Sequence, residues 1–472
     1  MSEKPTDWLS MTLGAMLDRV SRQHADKTAI VSEDRRIAYS QLNSHVDEVA
    51  RAFMALGIEK DDKVSVWLYN CPEWIFIQLA LGRIGAVLVP INTRFKVQEL
   101  EYTLKQSDSA LLITADRFLG IDFSGLAYDT IPELSASLPG DLNSAKFQHL
   151  RGVICLGGQN LPGMLPWDDF LSGGKQVEKT SLTKREHSVD PGDVAMFQYT
   201  SGTTSFPKGV MLTHDGIIRD SAYMGRRMAI AEEDRLFCPL PFFHVGGAVI
   251  STLIALYYGA TLVICRTFDP ETALKLVEKE RCTAMNGIET HFLMMYEHPD
   301  FASYDLGSLE KGWAIGQPEI IRAVYEKMGM EKILNVYGIS EASPNVTTTR
   351  TDDPLSFRMR WHGQPHPGTE IRIVDFDTNR TLPTDREGEI CVRGWNVMKG
   401  YYKKPEETRA ALDDEGWLHT GDSGLMDDRG NLKFTGRIKD IVRVGGENVS
   451  AMEVENFLLT HPKVKNAAVI AV

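Results

Sequence analysis

Paired cysteines are absent from this chain. Its six cysteines, at positions 71, 155, 238, 265, 282 and 391, lie far apart, and no C-x-x-C occurs. That excludes a zinc ribbon and a disulfide framework, and no H-E-x-x-H signals a zinc enzyme. The reduced thiols of a cytoplasmic protein are the expectation. A basic excess is missing too: 51 Lys and Arg face 64 Asp and Glu, a net charge of −13. A general nucleic-acid binder needs a basic face, so that class is excluded, although a local basic pocket for an anionic ligand is not. The opening residues "MSEKPTDWLSM" show no basic start followed by an apolar stretch, so no signal peptide is expected. Internal repeats and low-complexity tracts are missing as well.

One long run, 244–265, lacks charge altogether and is long enough to span a bilayer. Its glycines, histidine and hydroxyls, and the break at "YYGA", argue instead for a buried helix, a glycine turn and the strand "TLVIC". No transmembrane span is expected.

What is present is an ordinary globular composition over 472 residues, 43% hydrophobic and 24% charged, enough for two or three folding units. The first part alternates elements. Helical spacing marks 41–58, stopping at Gly57, then 73–85 and 97–107; strands are expected at 63–68, 86–92 and 110–116. This βαβ rhythm predicts an α/β fold with a parallel-rich sheet, whose ligands sit beyond the carboxyl ends of the strands. Residues 117–190 are less regular, and 181–192, "SLTKREHSVDPG", reads as a polar connector. A second alternating section runs to about 350. From 370 the short alternating segments "EIRIVD", "GEICVRG" and "NLKFTGR" predict a β-rich antiparallel section. The last stretch, 440–472, reads strand, glycine turn, helix, strand. Some 33 residues is below the roughly 40 that fold alone. It is either the beginning of a small α+β domain or a final βαβ piece docked on the main body.

The strand "VAMFQYT" (194–200) runs straight into "YTSGTTSFPKG" (199–209). Glycines let backbone N–H groups approach an anion, Ser201, Thr203, Thr204 and Ser205 offer hydroxyl donors, and Lys208 adds positive charge. A Walker A loop it is not, since G-x-x-x-x-G-K-[ST] is unmatched. Alone, the run serves equally well as a polar surface turn.

Downstream stand "NVYGISE" (335–341), "HTGD" (419–422) and "GRIKDIVRVGGEN" (436–448), with flanking matches at "AYSQL" (38–42), "ALGRIGAVLVPIN" (80–92), "PLPFFHVGG" (239–247) and "VMKGYYKKPEET" (397–408). In this order the set resembles the adenylate-forming superfamily of acyl-CoA synthetases, firefly luciferase and nonribosomal adenylation domains, over essentially the whole chain. The resemblance implies a two-step reaction: a carboxylate attacks the α-phosphorus of Mg-ATP to give acyl-AMP and pyrophosphate, and the thiol of CoA then takes the acyl group and releases AMP. It also implies a large adenylation domain over 1–438. The hinge and first part of a C-terminal domain would follow over 439–472, with the remainder absent from these residues.

The roles implied residue by residue are these. Thr200, Ser201, Gly202, Thr203, Thr204, Ser205 and Lys208 hold the phosphates. Asn335, Tyr337 and Gly338 shape the adenine pocket, with Tyr337 stacking on the base, and Ser340 donates to the α-phosphate. Glu341 holds Mg²⁺ together with Thr203, Asp422 accepts both ribose hydroxyls, and Arg437 sits near the ribose. Gly316, Gln317 and Pro318 line the adenine and acyl pockets, and Gln317 departs from the small residue common there. His244 positions or gates the acyl group. Lys439 is the hinge, and Gly445, Gly446 and Glu447 form the loop presented on the CoA side. The lysine that relatives carry late in the C-terminal domain has no counterpart within these residues, and slow adenylation by these 472 residues is the expectation.

The implied partners are ATP, CoA and a small carboxylic acid; a homo-oligomer is compatible with the sequence. "GRIKD…GGENVSAMEVE" looks like the CoA-ligase branches, and "GGENVS" is similar to carnitine and crotonobetaine ligases, leaving fatty, aromatic and alicyclic acids open. Phe292, Met294 and Met295 are candidates for an apolar acyl pocket, although at helical spacing such residues equally form core. Transfer to a carrier protein, luciferase-like oxidation, and a catalytically dead nucleotide-binding homologue are the alternatives.

Overall fold

The computed structural model describes residues 10–157, 160–200, 207–444 and 447–450, with a few isolated positions beyond. Two large sheets carry most of it. The first orders its strands Lys208–Thr213, Val194–Thr200, Val87–Pro90, Lys63–Trp67, Ser109–Ala115, Gly152–Leu156 and Met164–Pro166. All neighbours run parallel except the first pair, an antiparallel turn-back from Val194–Thr200 to Lys208–Thr213. The expected strands thus appear within a residue or two, and full burial of Ser109–Ala115 matches its apolar centre, Ala110–Ile113.

The helix Pro72–Ile84 shows how this sheet is covered. Pro72 opens it, where a missing N–H costs nothing. Gly85 closes it at φ +75°, a conformation that suits glycine. Every residue from Trp74 to Ile84 is buried, so the helix is wedged between neighbours rather than laid on a surface. The helix expected over 41–58 runs from Tyr39 to Ala55; Leu56 caps it before Gly57 turns at φ +71°.

The second sheet orders Gln364–Pro365, Asn345–Thr348, Lys332–Gly338, Lys311–Ile315, Ala284–Met285, Arg235–Cys238, Thr261–Ile264, Thr28–Ser32 and Arg35–Ala38, with Gly287–Ile288 also on Lys311–Ile315. Its centre is parallel and its two ends are antiparallel. The uncharged run 244–265 becomes two short helices, Val245–Ala248 and Thr252–Tyr257, then Gly259 at φ +69° and the strand Thr261–Ile264. Among the described residues no helix is long and apolar enough to cross a membrane.

A third sheet, antiparallel, joins Thr369–Val374, Gly388–Gly394, Leu418–Met426 and Leu432–Arg437, where the β-rich section was expected. Beyond it Ile441–Val444 pairs antiparallel with Glu447–Ser450. The helix and strand expected after this hairpin lie mostly outside the described residues.

One expectation is corrected. The polar connector 181–192 begins inside a helix, Lys179–Glu186. Leu182 is its only buried residue, so it carries no apolar stripe by which a sequence pattern could reveal it.

Candidate active site

Four parallel neighbours of the second sheet end along one edge. Arg235–Cys238 leads to His244, Ala284–Met285 to Ile288 and Glu289, Lys311–Ile315 to Gly316–Pro318, and Lys332–Gly338 to Ser340 and Glu341. Parallel pairing therefore gathers three of the sequence-predicted segments, together with Ile288 and Glu289, at the carboxyl ends of the strands. The first sheet delivers Thr200, paired with Lys208 across the antiparallel turn. Gln198, two residues before Thr200, donates from Nε2 to the Phe243 carbonyl at 3.3 Å, which brings that strand end beside His244. Ser201, Gly202, Thr203, Thr204 and Ser205 lie outside the described residues.

Asp422 and Tyr337 form the most closed part of the site. They come from the third and second sheets, 85 residues apart, and the Tyr337 hydroxyl donates to Asp422 Oδ2 at 2.9 Å. Asp422 is 4% exposed and Tyr337 5%. Burial raises the Asp422 carboxyl to about 6; the Tyr337 hydroxyl and the Arg437 guanidinium oppose the shift, and Glu341 and Glu389 add to it. Arg437 stands cross-strand from Asp422, its Nε 3.7 Å from Oδ1. One face of the Tyr337 ring packs near-parallel to Phe434, with centroids 5.5 Å apart. Little of the ring is open for adenine.

The irregular stretch of Leu418–Met426 that presents Asp422, with Gly421 at φ +70°, is braced from the neighbouring strand. Glu389 Oε1 accepts the Gly421 N–H at 3.0 Å, and Oε2 lies 2.9 Å from His419 Nδ1. Cys391 Sγ is 3.5 Å from the same nitrogen, and burial pushes its thiol up to about 12. These three side chains could hold a metal by their spacing. As placed, they spend their polar atoms on one another and on that stretch.

Glu341 is the middle residue of a single 3-10 turn, Ser340–Ala342, just after Lys332–Gly338. Its Oε1 accepts the Tyr401 hydroxyl at 2.9 Å. Lys208 Nζ lies 4.2 Å from the centroid of the same ring. Lys208 and Glu341 thus approach one another through a residue that had no expected role beyond a flanking match. Glu341 Oε2 has no partner among the described residues. A half-buried carboxylate with one oxygen held and one open suits Mg²⁺, which takes one or two carboxylates and completes its shell from phosphate and water.

The other predicted residues divide. His244 caps the short helix after it, Nδ1 accepting the Gly246 N–H at 3.2 Å. Its ring reaches solvent yet is crowded by surrounding protein, and desolvation lowers its pKa. Gly316 is exposed, and a Cβ there would stand 2.6 Å from Glu289 Oε2, which also accepts the Gln317 N–H at 2.9 Å. Pro318 opens the helix Pro318–Met328. Asn335 is buried and its Oδ1 accepts the Val336 N–H at 3.0 Å, so its side chain is engaged within the strand. A Cβ on Gly338 would be 2.2 Å from the Pro344 carbonyl oxygen. Lys439 is exposed in the 3-10 turn Ile438–Asp440. Gly445 and Gly446 lie outside the described residues, and Glu447 begins the strand Glu447–Ser450. Phe292 and Met295 are corrected as pocket candidates: both are fully buried in a core cluster with Leu274, Ile321 and Met328, and only Met294 is exposed. They face inward from the helix Glu289–Tyr296 because its inner side packs on that core.

The profile of the AMP-binding enzyme family matches residues 17–402. This chain belongs to that family. Within it, YngI of Bacillus subtilis (strain 168), provisionally named an acyl-CoA synthetase, is 42% identical over 98% of this chain and 85% of its own length. Human mitochondrial medium-chain acyl-CoA ligase ACSF2 is 33% identical over 98% of this chain and 77% of its own. The crystal structure of the anthranilate CoA ligase AuaEII in complex with anthranoyl-AMP is similar at a TM-score of 0.87 and 25% identity, covering 99% of this chain and 86% of that one. The resemblance carried by the four ordered motifs is borne out at the level of the AMP-binding family.

Sequence reading missed Tyr401, Glu389 and Glu289. Tyr401 lay in the flank "VMKGYYKKPEET", but no periodicity links it to a carboxylate 60 residues earlier. Glu389 alternates normally in a strand, and nothing local marks it as the brace of Gly421, 32 residues on.

Proposed function

We propose that this AMP-binding enzyme is an AMP-forming acid–CoA ligase, using ATP and CoA, for an apolar carboxylic acid of which medium-chain fatty acids are the first to test. The observation that carries the reading is the convergence of a buried Tyr337–Asp422 pair, a half-open Glu341 and Lys208 at the carboxyl ends of parallel strands. Asp422 accepts the ribose hydroxyls, and Arg437 stands beside it. Tyr337 offers adenine the small open part of its ring. Ser340 donates to the α-phosphate, and Lys208, with the hydroxyls and amides of 200–205, neutralises the charge that builds on departing pyrophosphate. Magnesium, held by Glu341 with Thr203, would draw charge from the phosphate oxygens. The acid's carboxylate oxygen attacks the α-phosphorus, forming the acyl-AMP anhydride as the bond to pyrophosphate breaks. The CoA thiol then attacks the acyl carbon and AMP leaves. Lys439 is the hinge between the two steps, and 445–447 the loop brought to the CoA side.

Support for an apolar acid comes from Ile288 and Ile315, which are exposed register partners beside Gly316. The medium-chain name of ACSF2 points the same way. Location in the cytoplasm, with all six described cysteines free and buried, belongs to the same proposal.

The test is pyrophosphate release from ATP and Mg²⁺ by the full-length natural protein over straight-chain, aromatic and alicyclic acids, followed by acyl-CoA formation when CoA is added. Acid-dependent pyrophosphate with a CoA thioester is expected. Acyl-AMP that CoA cannot discharge would overturn the ligase assignment in favour of carrier-protein transfer, and no turnover of any acid would overturn the enzyme assignment.

A further inference from the structure

Residues 398–402 join the two sheets. On one side they run along the strand that leaves the phosphate loop. Lys399 N–H donates to the Met211 carbonyl at 3.0 Å, Met211 N–H to Gly400 at 3.0 Å, and Tyr402 N–H to Gly209 at 2.9 Å. Tyr401 itself bridges Val210. On the other side Met398 N–H donates to the Glu341 carbonyl at 2.9 Å. The backbone of one short segment is therefore fastened both to the strand beginning at Lys208 and to the turn carrying Glu341. Tyr401 stands at the junction, buried, with its N–H donated to Thr408 Oγ1 at 2.9 Å.

From the observed contacts we propose that Tyr401 is a positioning residue of this site: its hydroxyl orients the Glu341 carboxylate for a divalent cation, and its ring holds the Lys208 ammonium ready for phosphate. The proposal rests on the reading of Glu341 as the cation carboxylate. The hydroxyl donates to Oε1 at 2.9 Å and so holds that oxygen, while Oε2 meets no other described residue. The ammonium lies 4.2 Å above the ring, within the range where a cation is attracted to an aromatic face. A free lysine side chain samples many rotamers, and binding that freezes one must offset the lost entropy. A ring that already confines the ammonium beside Glu341 lowers that cost.

The two parts of the side chain separate by substitution. Tyr401→Phe keeps the ring and loses the hydroxyl; Tyr401→Leu loses both. The readout is ATP binding by titration calorimetry without acid or CoA, at a series of Mg²⁺ concentrations, with Mn²⁺ binding followed by electron paramagnetic resonance. In Tyr401→Phe the Mg²⁺ midpoint rises about tenfold, the effect of removing a hydrogen bond to a charged group, while ATP binding without metal and the melting temperature stay at wild-type values. In Tyr401→Leu metal-free ATP binding weakens as well. Glu341→Gln is the reference. If it raises the Mg²⁺ midpoint while Tyr401→Phe leaves it unchanged, the positioning role is refuted and the cation site stands. If Glu341→Gln leaves the midpoint unchanged, the cation-carboxylate reading falls, and this proposal with it.

Discussion

Replacing Asp422 by Asn should make the protein more stable and less able to bind a nucleoside, and both effects follow from one number. The carboxyl is 4% exposed, and burial moves it from 3.8 to about 6. That shift means the fold disfavours the ionised form by about 3 kcal/mol. The folded-state value lies above the unfolded one, so the penalty is absent below about pH 4 and complete above about pH 6. Asparagine keeps an acceptor for the Tyr337 hydroxyl and carries no charge. With an unfolding entropy of about 1 kcal/mol/K for a chain this long, the variant should melt about 3 °C higher near pH 7, and the gain should vanish near pH 4. Nucleoside binding moves the other way, because two ribose hydroxyls need two accepting oxygens and an amide offers one. Adenosine has no phosphate to titrate, so calorimetry with adenosine isolates this group. In the wild type its affinity should fall about tenfold from pH 7 to pH 5, as the ionised fraction drops from about 0.9 to about 0.1. In Asp422→Asn it should be weak and flat with pH. A variant that melts no higher than the wild type at neutral pH, or a wild type whose adenosine affinity ignores pH, would refute the reasoning.

Two further outcomes test packing, the second of them in the turn that bears Ser340 and Glu341. Arg83, 2% exposed, meets Asp18 at 2.7 Å, Asn43 at 2.9 Å, Glu186 at 3.4 Å and Asp47. Arg83→Met strands three partly buried carboxylates and should cost about 3–5 kcal/mol in urea unfolding; a loss below about 1 kcal/mol would mean that solvent already satisfies them. Gly338→Ala forces a Cβ to 2.2 Å from the Pro344 carbonyl oxygen and 2.9 Å from Asn345 Cα, so the turn bearing Ser340 and Glu341 must shift. Pyrophosphate release should drop about a hundredfold with the fold retained, and a wild-type rate would show that the turn has slack.

How much could be read in advance depended on the range of the interaction. Strands such as Val194–Thr200 and Ser109–Ala115 announce themselves because burial on both faces calls for consecutive apolar residues, Val194–Phe197 and Ala110–Ile113. The motif residues were legible through resemblance, and the parallel order of the second sheet explains why four separate segments meet at one edge. The helix Lys179–Glu186 was hidden because one buried leucine makes no period. Phe292 and Met295 were ambiguous because a core face and a pocket face both call for apolar residues; only the packing against Ile321 and Met328 separates them. Tyr401 was hidden because its partners come from two different sheets and neither contact leaves a local pattern.

The two carboxylates of the site are built alike. Asp422 gives one oxygen to the hydroxyl of Tyr337, and Glu341 gives one to the hydroxyl of Tyr401. A lysine or arginine in place of either phenol would hold the carboxylate more strongly, but it would also neutralise it and compete with the ligand. Each phenol orients its acid through a neutral hydrogen bond; Asp422 also has the Arg437 guanidinium 3.7 Å from its other oxygen, whereas Glu341 keeps its charge for the proposed cation. The arrangement has a cost that differs between the pair. Asp422 is almost closed off and its carboxyl is pushed up, whereas Glu341 stays partly open. That difference fits the two proposed ligands: neutral hydroxyls approach a buried acceptor with little desolvation cost of their own, while a hydrated cation needs room for the water it keeps.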